Sequence, residues 1–219
     1  MDFALLLEVL LSVPKTLLFN FKNFPLKQAL RFPVLVNRRT KIKSMSGEIV
    51  LPETIMFGLV KIGFSGSYNL GGGKNYFENR GKIIINGKAT FSRGIQLIVG
   101  EKGCLEIGSN FRCNANCIIN AGSRIKMGDD CLLAWNIMIL DGDGHDIYLQ
   151  NGTYNENISN IFIGTHVWIC ANSTILKGAL ISDNSVVGAG TIVSKKFEHR
   201  NVLIAGKNKI VKENVNWKD

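Results

Sequence analysis

The chain has 219 residues, 46% of them hydrophobic, and carries 23 glycines against 4 prolines, which suits one solid core in a turn-rich β chain and excludes a disordered one. Its formal net charge of +9 sits at the ends: residues 1–47 carry +6 (eight Lys/Arg against Asp2 and Glu8), residues 195–219 carry +4 (seven against three), and the middle sums to −1. Basic ends serve nucleic acid, an anionic membrane surface or a phosphate-bearing ligand; nucleic acid is set aside, because no binding motif and no basic sheet pattern with interleaved aromatics accompanies the charge.

Residues 1–47 are expected to form a basic amphipathic extension. Met1 to Leu18 is rich in Leu, Val and Phe, but Glu8, Pro14 and Lys15 interrupt it, so it is too short and too broken to span a bilayer. A secretory leader is not expected: no basic residues precede the apolar run, and no small-x-small site follows. Phe19, Phe21, Phe24, Leu26, Leu30 and Phe32 alternate with Lys15, Lys22, Lys27 and Arg31. That is helical material, which either caps the domain that follows or lies on an anionic cytoplasmic membrane surface.

From residue 48 to 210 a six-residue beat predicts a parallel β-helix. Ile85, Phe91 and Leu97 keep it, as do Ile107, Cys113 and Ile119, then Met127, Leu133 and Ile139. The longer steps between these triplets, around Gly100 to Leu105 and Ser123 to Lys126, read as corner bulges. Between Ile139 and Ile163 the chain leaves the coil and returns, an excursion at about 140–162 of the kind in which function concentrates. Ile163, Ile169, Ile175, Ile181, Val187 and Val193 then stand six apart without a gap, with small or β-branched residues at the fifth position of several units (Val167, Ser173, Ala179, Ser185, Thr191). One unit makes a short strand and a corner, and three make a triangular turn. The aliphatic residue and the small fifth residue face inward, and no turn buries its apolar face alone.

The five cysteines are odd in number and scattered without a C-x-x-C pair. Cys113, Cys117 and Cys131 fall on inward positions, as small buried hydrophobes, and a reducing compartment is expected. Residues 211–219 form a short tail.

The stretch Ile163-Gly-Thr-His-Val-Trp-Ile-Cys-Ala-Asn-Ser-Thr-Ile-Leu-Lys-Gly, continuing to Val187-Gly-Ala-Gly-Thr-Ile-Val-Ser-Lys and a trailing Ala205-Gly206, resembles the hexapeptide-repeat acyltransferases, in particular O-acetyltransferases of bacterial polysaccharide assembly. The resemblance covers roughly residues 80–210. It implies an all-β, left-handed parallel β-helix, a homotrimer with active sites between subunits and acetyl-CoA as donor; the expected location is cytoplasmic, with residues 1–47 able to place it at the inner face of the membrane. The left hand, an exception to the usual crossover rule, comes from the resemblance and not from the spacing.

Acetyl transfer to a hydroxyl needs a base that titrates near neutrality, which favours His. His145, in Asp141-Gly-Asp-Gly-His-Asp-Ile at the start of the excursion, occupies the place of the family's catalytic His. Asp143, two residues before it, is the acid expected to orient the imidazole. Trp168 matches the family's tryptophan near the acyl-donor arm, Ala171 and Ala189 the backbone contacts to the pantetheine amides, and Ser194 and Lys195 the residues near the pyrophosphate and adenosine. Lys196, Lys207 and Lys209 are further candidates for phosphate contact. Cys170 departs from the family's usual Gly and narrows the groove expected beside Ala171. Trp135, Asn136 and Asp141 are candidates for lining the acceptor pocket. His166 and His199 read as solvated residues. No metal is expected, because three clustered His are missing. An O-acetyltransferase of a sugar or glycan hydroxyl leads. The alternatives are an N-acyltransferase of amino-sugar nucleotides and a non-catalytic binding β-helix.

Overall fold

A computed structural model describes residues 3–64, 73–148, 150, 154–155, 157–206 and 208–218. The hexads wind into a left-handed parallel β-helix with three sheets as its sides. The first sheet runs through strands Val34–Val36, Val60–Phe64, Ala89–Ser92, Phe111–Cys113, Leu132–Leu133, Trp168–Ile169, Val186–Val187 and Val202–Ala205. The second includes Lys41–Met45, Tyr76–Asn79, Gln96–Val99, Ile118–Ala121, Met138–Leu140, Thr174–Leu176 and Ile192–Val193. The third includes Glu48–Val50, Lys82–Ile85, Cys104–Ile107, Arg124–Met127, Ile161–Ile163, Leu180–Ile181 and Lys196–Phe197. Each turn of chain visits the sheets in that order.

The register puts the hexad residues on top of one another. Cys113, Leu133, Ile169, Val187 and Ile204 align in the first sheet. Leu97, Ile119, Ile139, Ile175 and Val193 align in the second, and Ile107, Met127, Ile163, Ile181 and Phe197 in the third. All are buried, as are the fifth-position residues Val167, Ser173, Ala179, Ser185 and Thr191. Cys113, Cys117 and Cys131 lie in the core with their thiols free; burial pushes the Cys131 thiol up to about 12.

Two expectations need correction. The extra residues near Gly100 and Ser123 are not bulges: strands Gln96–Val99, Cys104–Ile107, Ile118–Ala121 and Arg124–Met127 each bury two inward residues, such as Ala121 and Ile125 beside Ile119 and Met127. The repeat lengthens its strands around the corner between the second and third sheets. The β-helix also starts before residue 48, since Val34–Val36 already pairs with Val60–Phe64 and Lys41–Met45 with Tyr76–Asn79. These first turns are joined by segments too long and irregular to keep the six-residue beat.

Three helices precede the coil: α1 (Phe3–Leu11), α2 (Val13–Asn23) and α3 (Leu26–Ala29). They cap it. Strand Val34–Val36 ends the first sheet, and its unpaired edge would template association. Ser12, Thr16 and Asn20, on one face of α2 at four-residue spacing, cover it. Val36 N–H donates to Thr16 Oγ1 (3.1 Å), Val34 N–H to Asn20 Oδ1 (3.2 Å) and Arg38 N–H to Ser12 Oγ (3.0 Å), while Asn20 Nδ2 donates to Val34 O (2.7 Å). Phe19 enters the open end of the core edge-on to Phe77, with ring centroids 5.1 Å apart. At the far end Lys209–Glu213 turns back antiparallel onto Val202–Ala205.

Candidate active site

Successive corners form three edges. At the edge between the first and second sheets, Gly94, Asn116, Asn136, Asn172 and Gly190 all have positive φ, the left-handed conformation that Gly and Asn tolerate. This edge carries Trp135, Asn136, Ala171 and Ala189. Asn136 Nδ2 donates to Asn172 Oδ1 (2.9 Å) and Gly190 N–H to Ala171 O (2.9 Å). The N–H groups of Ala171 and Ala189 make no hydrogen bond to described residues, and both residues reach solvent. Cys170 is half-buried beside them, its thiol pushed up to about 11 by burial.

At the C-terminal end of the coil lies an open cleft of about 510 Å³ lined by Lys195, Lys196, Phe197, Glu198, His199, Lys209 and Ile210, with Lys195 at the corner between the second and third sheets. Lys195 Nζ lies 5.2 Å from the centre of the Phe197 ring. Ser194 Oγ accepts from Asn208 Nδ2 (3.1 Å). Lys207 lies outside the described residues. Lysines at an open cleft suit a polyanion such as a phosphorylated coenzyme.

The edge between the second and third sheets carries the excursion. Strands Ile147–Tyr148 and Tyr154–Asn155 make a small antiparallel hairpin, and His145 stands exposed just ahead of it. Gly144 has φ +85° with open space around it, so the backbone turns there where an L side chain would be strained.

The three aspartates around His145 all face elsewhere. Asp141 is buried and accepts from the N–H groups of Gly122 (2.7 Å) and Ser123 (2.8 Å), which staples the excursion to the corner beneath it. Burial raises its carboxyl above the ordinary value, against those two N–H donors. Asp143 is paired with Lys177 Nζ at 2.5 Å. Asp146 accepts from Asn157 N–H at 3.0 Å. Lys177 thus holds one oxygen of the Asp143 carboxylate, and the Asp141 carboxylate is engaged inside the corner by the Gly122 and Ser123 N–H groups. Trp135 and Asn136 stand on the other edge of the second sheet, apart from the His145 of their own chain and together with Ala171 and Ala189.

Sequence reasoning missed the third edge, between the third and first sheets. There Asn110, Asp130, His166, Asn184 and Asn201 occupy one left-handed position in successive turns. His166 is not a solvated turn residue. Its Nδ1 lies 2.6 Å from Asp130 Oδ2 and its Nε2 3.0 Å from Trp217 O. The Trp217 ring lies flat on it at 4.2 Å, and Trp217 Nε1 donates to His166 O (2.9 Å). Burial of the ring opposes its protonation, but the Asp130 carboxylate and the Trp217 carbonyl outweigh it and raise its pKa. The clamp seats Trp217 6.1 Å from Trp168 on the outer face of the first sheet. The available signal was positional: His166 takes the hexad place that Asn and Asp hold in neighbouring turns. Among the described residues no three His, Cys, Asp or Glu side chains cluster as a metal site.

No family model matches the chain. Over 103 residues it is 39% identical to galactoside O-acetyltransferase of Escherichia coli (strain K12), covering 47% of this chain and 50% of that protein. Over 147 residues it is 26% identical to the putative lipopolysaccharide biosynthesis O-acetyl transferase WbbJ of the same strain, covering 63% and 75%. Over 134 residues it is 27% identical to polysialic acid O-acetyltransferase of Escherichia coli O1:K1 / APEC, covering 61% and 41%. The chain thus spans about half the length of the first of these relatives. Among solved structures, the polySia-specific acetyltransferase NeuO superposes with a TM-score of 0.51 at 18% identity, covering 85% of this chain and 79% of that one, a likeness of fold. Over about half of its length the chain is thus similar in sequence to these O-acetyltransferases, and it shares the fold of NeuO.

Proposed function

We propose that this protein transfers the acetyl group of acetyl-CoA to a hydroxyl of a sugar or glycan, with His145 as general base. The observation that carries the reading is the pair of unpaired N–H groups at Ala171 and Ala189 on one edge, with a lysine-lined cleft at the C-terminal end of the same coil. The N–H groups suit the amide carbonyls of pantetheine, Trp168 the acyl end, and Lys195 and Lys209 the phosphates. Relatives named for galactoside, lipopolysaccharide and polysialic acid support a carbohydrate acceptor and oxygen as the acylated atom.

In the reaction the His145 imidazole takes the proton of the acceptor hydroxyl as its oxygen attacks the thioester carbonyl. The tetrahedral oxyanion collapses and expels the thiolate, and the imidazolium returns the proton to sulfur. His145 and the donor edge lie on opposite borders of the second sheet, so one chain alone does not bring them together. A homotrimer packed through that sheet would set the His145 edge of one copy against the donor edge of the next. The outer faces support this choice. The third sheet is charged, with Glu106 paired to Arg124 and Lys126 at 2.9 Å each. The first is extended at its end by Lys209–Glu213 and carries Trp217 against its outer face. The second presents Ile118, Met138, Leu140, Thr174, Leu176 and Ile192 to solvent or half-exposed. In such an assembly Trp135 and Asn136 would face the neighbour's His145. A position at the periphery of an anionic membrane belongs to the same reading, on the strength of the basic and apolar residues 1–47.

The test is acetyl-CoA binding by calorimetry, followed by transfer to a panel of glycans. Saturable binding that weakens in Trp168→Ala, and turnover that falls about 10²- to 10⁴-fold in His145→Ala while binding persists, are expected. No binding by the folded protein would remove the transferase reading.

A further inference from the structure

The N-terminal helices use one side to cap the coil and leave the other apolar side bare. Leu6, Leu7, Leu10, Leu11, Leu18 and Phe21 of α1 and α2 are exposed, as are Leu26 (65%) and Leu30 (58%) around α3. The turn at Met56 and Phe57, both exposed, adjoins them through the hydrogen bond from Gly58 N–H to Phe32 O (3.0 Å). That turn also carries one exposed acid, Glu53. A contiguous apolar face of this kind marks an interaction site.

Charge identifies what it meets. Lys22, Lys27, Arg31, Arg38 and Arg39 are exposed around this face. Glu8, the one acidic residue between positions 3 and 47, is turned away from it: Glu8 Oε1 pairs with Arg93 at 2.9 Å against the coil, its side chain 16% exposed. The outward side is therefore leucine, phenylalanine and cations, the composition of a helix lying in a lipid headgroup layer. A second copy of the same cationic face would be repelled. Among the described residues no helix is long and apolar enough to cross a membrane, so the contact is one of lying on the surface.

We propose that the helical cap docks the β-helix end-on to a bilayer rich in anionic lipid, Leu18 and Leu26 entering the headgroup layer and Lys22, Lys27 and Arg31 meeting lipid phosphates. The proposal rests on the peripheral location proposed above and gives it a surface. Flotation of the full chain with vesicles of phosphatidylcholine alone, and with vesicles carrying about a third phosphatidylglycerol, tests it. The chain floats with the anionic vesicles and not with the neutral ones, and retention falls several-fold as salt rises from about 0.1 to about 0.5 M. The double variant Leu18→Ser, Leu26→Ser loses retention by about tenfold or more at unchanged melting temperature, and Lys22→Glu, Arg31→Glu loses the preference for anionic lipid. Absence of retention on anionic vesicles, or retention that both variants leave intact, overturns the proposal. So does a fall in the light-scattering mass of the serine variant, which would assign the face to a second copy. Acetyl-CoA calorimetry on the same preparations separates the readings: docking can fail while the donor still binds, and the reverse.

Discussion

His166 shows how a repeat recruits one residue to a new task. The corner slot it fills needs a left-handed backbone, and neighbouring turns fill that slot with Asn110, Asp130, Asn184 and Asn201. A histidine there keeps the corner and gains two ring nitrogens, one used on Asp130 and one on the Trp217 carbonyl. Because its pKa is raised in the folded state, its charged form stabilises the fold. That contribution is present in full below the ordinary histidine value and is lost as pH rises through the raised one. The melting temperature of the wild type should therefore fall from about pH 6 to about pH 9 relative to His166→Gln, and release of Trp217 should appear in its fluorescence over the same range. Asp141 is held by the corner beneath the excursion. Asp141→Ala leaves two part-buried N–H groups without that partner, so we expect a loss of about 1 kcal/mol in thermal or urea unfolding. Once a glycan acceptor is in hand, its KM should barely move in this variant.

The capping helix is an element whose polar face matters more than its apolar one. Asn20 is fully buried and makes three hydrogen bonds, two of them to strand Val34–Val36. Asn20→Ala should cost about 2 kcal/mol, measured by chemical unfolding, because Val34 N–H and C=O lose their partners at a closed edge. Alternation of Phe with Lys and Arg announced a helix that caps or meets a membrane. It did not announce which face does what, because Ser12, Thr16 and Asn20 read as ordinary polar residues until the edge strand they cover is in view. The excursion was legible in the same partial way. A gap in the beat located it and put His145 at its start. The partners of Asp141 and Asp143, namely Gly122, Ser123 and Lys177, come from other turns of the coil, so proximity in sequence to His145 did not reveal them.

For the whole molecule the open question is assembly. If the site joins the His145 edge of one copy to the donor edge and Trp168 of its neighbour, then His145→Ala and Trp168→Ala, each impaired alone, should restore part of the activity when coexpressed as mixed trimers, since some interfaces then carry both intact residues. Activity measured on purified mixed trimers that stays at the level of the single variants would place both residues in one copy's site. The sequence by itself determined the parallel β-helix, its inward rungs and the place of the excursion, because stacked short strands demand one aliphatic residue per side at a fixed six-residue interval. Only the tertiary structure decided that the coil begins at Val34, that the helices close its edge, that Trp217 folds back onto His166, and that Asp141 and Asp143 are held by residues of other corners. Those contacts join residues far apart in the chain, and no local period records them.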